Sequence, residues 1–167
     1  MKVERVRICF VCSGNICRSP TAEAIMKDLV ERADLGEWVH VESAGTAAYS
    51  EGGPRDARST AAAEDRGLSL DGSAQLFRPG DFARFDYVLA LDERNRSELV
   101  ELAQTSADRE KVELLRNFEV NPSERSVPDP YYGGERGFDE VFEICEAACR
   151  GLLSTLISRR SRPEREI

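Results

Sequence analysis

Apolar positions come first in short runs and then in longer stripes. Val6, Ile8, Phe10 and Val11 follow one another with little polar alternation after Arg7, the pattern of a strand buried on both faces of a parallel sheet. A helix is predicted next. Pro20 stands near its first turn, where a missing N–H costs nothing, and Ala22, Ile25, Met26, Leu29 and Val30 recur at helical spacing. Residues 38–41 (Trp-Val-His-Val) read as a second strand, and Asp56 is placed to cap a helix that Gly67 ends. Residues 85–91 read as a third strand, with Asp92 capping the helix after it, and 112–115 as a short fourth. Residues 117–134 are rich in Pro, Asn, Asp and Gly and read as loop. A final helix carries the stripe Phe138, Val141, Phe142, Cys145, Cys149, Leu152 and Leu156. Residues 158–167 form a charged tail expected to fray, so the domain is set at 1–157.

Strands alternating with helices predict a single α/β domain, a parallel sheet with helices on both faces. Ligands in such sheets bind beyond the carboxyl ends of the strands, which directs attention to the loop after the first strand.

Charge sharpens the search. The net charge of −8 argues against a broad nucleic-acid or acidic-membrane surface, so any positive potential has to be local. No apolar run approaches the roughly 18–20 residues that span a bilayer, and the N-terminus lacks a signal peptide's apolar stretch. Five cysteines, an odd number with no CxxC pairs, fit a reducing, cytoplasmic setting.

The loop after the first strand reads Cys12-Ser13-Gly14-Asn15-Ile16-Cys17-Arg18-Ser19-Pro20. It leaves a buried strand and enters a helix, so free N–H groups and the helix dipole converge on one spot. Gly14 and Asn15 are the residue types that best tolerate positive φ, which would let successive N–H groups turn inward as an anion nest. Arg18 can fork onto two phosphate oxygens, and from Cys9 to Ser19 no carboxylate repels an anion. A thiol at such a place is held as the thiolate, the form that attacks phosphorus. Ser19 is placed to hydrogen-bond the sulfur as it departs. A cysteine before a turn is common by itself; Cys-x5-Arg-Ser between strand and helix is far more specific.

Residues 11–21 resemble the phosphate loop of low-molecular-weight protein-tyrosine phosphatases, whose pattern is V-C-x-G-N-I-C-R-S-P. The resemblance runs on through Glu42-Ser43-Ala44-Gly45-Thr46, Asp56 and Arg58, residues 81–87, Asp92, Glu93 and Asn95, and residues 129–134. It implies a four-stranded parallel sheet, phosphotyrosine hydrolysis without cofactor or metal, and Cys12 as the residue phosphorylated in the intermediate. Ser13, Gly14, Asn15, Ile16, Cys17 and Ser19 would cradle the phosphate. Phosphotyrosyl proteins would be the substrates and a tyrosine kinase a candidate partner, with no nucleic acid or membrane involved. The enzyme would be a monomer or weak dimer.

A phenol leaves best when protonated, since its pKa is about 10. Asp129 lies between Pro128 and Pro130, which stiffen its loop. Alone, Pro-Asp-Pro is ordinary turn chemistry. Beside the phosphate loop it reads as the general acid, the role this aspartate has in the family. Tyr131 and Tyr132 would wall the cleft mouth as in the family, with Tyr49 opposite, either as a wall or as an ordinary surface aromatic. A deep cleft suits the long phosphotyrosine side chain.

Other residues carry two readings. Cys17 is either a small apolar residue under the loop or, as in the family, the partner of an oxidised Cys12. Asp92 is either a helix cap or a polar anchor of the site, and the two are compatible. Cys9, Cys145 and Cys149 read as core. His40 is the single histidine and reads as a strand residue, which argues against a Ser-His or Cys-His pair, and no metal site is proposed. Three positions depart from the family. Ser13 replaces its usual leucine. Gly72 falls where many members carry a histidine bonded to the loop asparagine, and Gln75 where many carry arginine. Loop support is therefore expected from Ser43 or Ser73.

Rival functions are weighed on the same residues. Arginine phosphatases of this fold tend to have threonine after the loop asparagine; Ile16 and the two tyrosines favour phosphotyrosine. Thioredoxin-coupled arsenate reductases need two further cysteines after the third strand, and residues 89–104 have none. A non-catalytic phosphate binder would lack Cys12, Arg18 or Asp129.

Overall fold

The computed structural model describes residues 4–131 and 135–161. Strand β1 (Val6–Cys12) is followed by α1 (Arg18–Arg32) and β2 (Val39–Gly45), then α2 (Ala57–Glu64), β3 (Tyr87–Ala90) and α3 (Glu93–Leu102). After α4 (Ser106–Glu110) and β4 (Val112–Leu114), the described chain ends in α5 (Glu135–Arg160). All pairings are parallel, in the order β2-β1-β3-β4. This is the four-stranded parallel sheet the sequence predicts.

Alternation along β1 divides the core. Ile8, Phe10 and Cys12 face one side, packed with Ala22, Ile25 and Met26 of α1 and with Val141, Cys145 and Leu152 of α5. Cys9 and Val11 face the other, with Phe77, Phe82 and Phe85 and with Leu99 of α3. Helices therefore cover both faces, and β1 is central. The chain moves from β1 to β2 on one side, then crosses to β3 on the other. The carboxyl end of β1 is the point where the strand order reverses, and there the crevice opens.

Several boundaries differ from the sequence reading. β2 continues to Gly45, because Glu42 and Ser43, polar in sequence, pair with Cys9 and Phe10 of β1. β3 is confined to 87–90, since the 3₁₀ turn Pro79–Arg84 carries the chain up to it. α4, which the apolar pattern did not suggest, is a short polar helix capped by Thr105, whose Oγ1 accepts from the Asp108 N–H. α2 stops at Glu64, and Gly67 closes the following turn at φ 76°. α5 runs on to Arg160, past residue 157. Arg159 donates to the Tyr87 hydroxyl at 2.7 Å and Arg160 lies over the Trp38 ring at 4.4 Å, which pins the end of the helix to the sheet. Among the described residues no helix is long and apolar enough to cross a membrane.

Candidate active site

The loop between β1 and α1 is held from outside by its carbonyls. Thr46 and Ala47 N–H groups donate to the Cys12 and Ser13 oxygens at 2.9 and 3.0 Å, and the Asp56 N–H donates to Ile16 O at 2.9 Å. Arg55 Nη1 donates to Asn15 O at 2.7 Å. A trans peptide points its N–H opposite its C=O. The amides of Ser13, Gly14, Ile16 and Cys17 are thereby turned the other way, into the loop. That is the anion nest expected from the sequence, and the start of α1 adds its dipole.

Asn15 adopts the left-handed conformation (φ 57°) and is fully buried. Its Nδ2 donates to the Ser19 and Ser43 hydroxyls, each at 2.9 Å. Its Oδ1 accepts from Arg55 Nη1 at 2.8 Å and from the Gln75 N–H at 3.0 Å. Support for the loop thus comes through Ser43, as expected, but also through Arg55 and Gln75 rather than Ser73. Gly14 is a correction. It does not use a positive φ. What it supplies is space, since a Cβ there would stand 2.8 Å from Tyr49 Oη and 2.9 Å from its Cε2.

Cys12 closes β1 at the floor of the site, with its Sγ 2.9 Å from Ser19 Oγ. Arg18 is almost fully buried. Its Nη1 donates to Asp92 Oδ2 at 2.6 Å and to Val127 O at 3.0 Å, and Nη2 lies 3.7 Å from Asp129 Oδ2. Burial works to lower the Arg18 pKa, but the Cys12 sulfur and Asp92 carboxylate outweigh it and the net shift is upward. Both readings of Asp92 hold, because its other oxygen, Oδ1, accepts the Asn95 N–H at 2.7 Å and caps α3. Asp129 is likewise double. Oδ1 accepts the Tyr131 N–H at 3.0 Å in a local turn, and Oδ2 faces Arg18.

These groups line one cleft of about 350 Å³, with Cys12 and Arg18 inside and Asp129, Tyr49 and Tyr131 around it. Ser13, Gly14, Ile16 and Cys17 complete its wall. Asn15 and Ser19 lie behind that surface, buried, and act on it through hydrogen bonds. Tyr49 is 72% exposed, yet it belongs to the cleft rather than to open surface. Tyr132 lies outside the described residues. Ser13 Oγ accepts from Asn95 Nδ2 at 3.1 Å, so the serine in place of leucine is tied to α3. A larger groove of about 890 Å³ runs beside Trp38 and His40; it contains neither a cysteine nor any residue of the phosphate loop.

All five cysteines are free thiols. Burial pushes the Cys17 pKa up to about 12 and that of Cys145 likewise to about 12, and it raises Cys9 and Cys149 well above the usual range. Cys9, Cys145 and Cys149 sit in the core, as predicted. Among the described residues no group of His, Cys, Asp or Glu is arranged to hold a metal ion.

Sequence reasoning missed two contributors, Arg55 and Glu23. Glu23, on α1, accepts from the Ser43 hydroxyl and lies 3.7 Å from Arg55. A run of charge on a helix or in a Gly-Pro-Arg loop carries no local signal of such a contact.

A sequence model of the low molecular weight phosphotyrosine protein phosphatase family matches residues 7–162. The chain is 47% identical over 152 residues to a low molecular weight protein-tyrosine-phosphatase of Streptomyces coelicolor, covering 90% of this chain and 93% of that one. Its fold superposes on a protein tyrosine phosphatase of Entamoeba histolytica, crystallised with Hepes in the active site, with a TM-score of 0.89 at 38% identity (93% and 99% covered). A mutant of the arginine phosphatase YwlE with a phosphorylated active-site serine is also similar in fold, with a TM-score of 0.82 at 29% identity (93% and 98% covered).

Proposed function

The chain belongs to the low molecular weight phosphotyrosine protein phosphatase family, a family of hydrolases, and on that premise we propose that Cys12 is the nucleophile and Asp129 the general acid of phosphotyrosine hydrolysis. The observation that carries the proposal is that Cys12 and Arg18 of the phosphate loop and Asp129 of a distant loop line one cleft with Tyr49 and Tyr131 at its sides.

The Cys12 sulfur attacks phosphorus as the ester P–O bond breaks. The bonding pair goes to the phenolic oxygen, which takes the Asp129 proton and leaves as a neutral phenol. The inward amides and the free edge of Arg18 hold the three equatorial oxygens while charge shifts among them. In the second step Asp129 takes a proton from water, the water oxygen attacks phosphorus, and the S–P bond breaks to give phosphate and the thiolate. Ser19 donates to the departing sulfur in this reading: its oxygen accepts from Asn15, and its one hydrogen turns from the Ala44 carbonyl at 3.3 Å to the sulfur at 2.9 Å. The aromatic sides and the buried nucleophile suit phosphotyrosyl proteins, which makes a tyrosine kinase the enzyme's counterpart. The same reading places it in the cytoplasm, where its unpaired thiols stay reduced.

The test compares phosphotyrosyl peptide, phosphoarginine and aryl phosphates of graded leaving-group acidity. Cys12→Ser is expected to abolish turnover. Asp129→Ala is expected to slow phosphotyrosine by about 10²–10⁴-fold and substrates with acidic leaving groups much less. Equal loss on both classes defeats the acid assignment, and much faster cleavage of phosphoarginine than phosphotyrosine defeats the substrate assignment.

A further inference from the structure

Arg55 stands just before α2, in a segment with no part in the chemistry above, yet its side chain is only 5% exposed. Every donor it has is directed. Nη1 serves both oxygens of Asn15, at 2.7 Å to the carbonyl and 2.8 Å to the side chain. Nε and Nη2 donate to Asp71 O at 3.2 and 3.0 Å, and Nη2 also lies 3.7 Å from Glu23 Oε1. Gly72 leaves the space for this, since a Cβ on it would come within 3.4 Å of Nη2. Glu23 in turn accepts from Ser43, and Ser43 accepts from Asn15, so the four residues close a ring that includes Asn15, the loop's one left-handed residue.

We propose that Arg55 is a positioning residue for the phosphate cradle: by clamping both oxygens of Asn15 it fixes the Asn15–Ile16 peptide with the Ile16 N–H aimed at the bound phosphate. The inference deepens the phosphatase reading and rests on the cradle that reading uses. The next peptide is fixed in the same manner by the Asp56 N–H on Ile16 O, so residues 55 and 56 together set two consecutive inward amides. Asn15 cannot hold this orientation alone. Its side-chain amide is already spent on Ser19 and Ser43, which position the side chain but not the following peptide. Lysine at 55 keeps the charge but cannot reproduce a planar fork that reaches Asn15 and Asp71 at once.

The test measures inorganic phosphate binding by calorimetry, kcat and KM on phosphotyrosyl peptide, and Tm. It uses wild type, Arg55→Ala, Arg55→Lys and the control Arg66→Ala, which removes a more exposed ion pair to Asp139 outside the cleft. Arg55→Ala is expected to weaken phosphate binding and kcat/KM by about 10- to 100-fold, the loss of a charge-assisted contact. Arg55→Lys should fall between, and Arg66→Ala should change only Tm. If Arg55→Ala does not fold, Arg55→Lys carries the test with a loss of about threefold or more. In an Asn15→Gly background, which deletes Oδ1 but keeps the carbonyl that Arg55 also holds, Arg55→Ala should cost less than in wild type yet still weaken phosphate binding; full multiplication of the two losses overturns the double clamp. Phosphate affinity and kcat/KM within about twofold of wild type, with Tm alone lowered, overturn the positioning role. Phosphate binding is read without turnover. A wild type that binds phosphate but does not cleave phosphotyrosine therefore defeats the functional reading while leaving the Arg55 result to stand or fall by itself.

Discussion

Asp92 holds the Arg18 guanidinium and caps α3 with different oxygens, so its two jobs can be separated by substitution. Asp92→Ala removes both. Loss of the charge-assisted bond to buried Arg18, 2.6 Å long, costs about 1.5–3 kcal/mol. Loss of the cap on the Asn95 N–H adds about 1 kcal/mol. Asp92 keeps 19% of its surface in solvent, which places the pair below the roughly 3–5 kcal/mol of fully buried cases. The sum, about 2.5–4 kcal/mol, corresponds at this chain length to a fall in Tm of about 5–16 °C. Asp92→Ser returns a capping hydroxyl but is too short to reach Arg18. It should regain about 1 kcal/mol of stability and none of the catalysis. In both variants Arg18 keeps, among the described residues, Val127 O and the more distant Asp129, and kcat/KM on phosphotyrosyl peptide should drop at least about tenfold. Thermal melts and steady-state kinetics on the two variants decide it. Recovery of activity in Asp92→Ser, or wild-type kcat/KM in Asp92→Ala, would refute the claim that the carboxylate aims the guanidinium.

Two further outcomes follow from charge and burial. Burial alone would raise the Asp56 pKa, but the Arg58 guanidinium and the N–H groups of Arg58 and Ser59 more than reverse it, so the folded value lies below the ordinary one. Its stabilisation is present above the ordinary carboxylate range and is lost as pH falls through the folded value, so the Tm gap between wild type and Asp56→Asn should narrow as pH falls below the ordinary aspartate value of about 3.9; a gap that stays constant into acid contradicts the assignment. Iodoacetamide at neutral pH should label Cys12 and spare Cys17, whose pKa burial pushes up to about 12, with phosphate slowing the reaction; tandem mass spectrometry locating comparable adducts on Cys17 would show that the thiol is not held as described.

What could be read from the sequence was local. Strand, loop and helix around Cys12 lie within consecutive residues, and the order of apolar run, Gly-Asn, Arg-Ser-Pro carries the nest, the forked cation and the helix start together. Asp92 as a cap was legible for the same reason. Arg55 was not, because its partner Asn15 lies 40 residues away in the chain and the Gln75 amide that shares Asn15 Oδ1 lies 60 away. Gly14 shows a subtler limit. A glycine in a tight loop signals that a side chain is forbidden, but not whether φ or a neighbouring ring forbids it. β2 was cut short because Glu42 and Ser43 look like loop; Glu42 is tolerated on this edge strand because it pairs outward with Arg84 and His40.

The same geometry bears on how a chain of net charge −8 would hold the anion that the proposed chemistry requires. Its acidic groups near the loop are spent. Asp92 Oδ1 and Oδ2 are taken by the Asn95 amide and Arg18, and Glu23 accepts from Ser43 and Lys27. Neither lines the cleft. Each instead braces a guanidinium: Asp92 that of Arg18, and Glu23 that of Arg55, which holds Asn15. Asp129 is the one carboxyl group among the lining residues, and it stands where the proposed chemistry calls for a proton rather than for binding. Net charge therefore says little about anion affinity here; what counts is that the carboxylates are saturated from behind while the amide N–H groups in front are not.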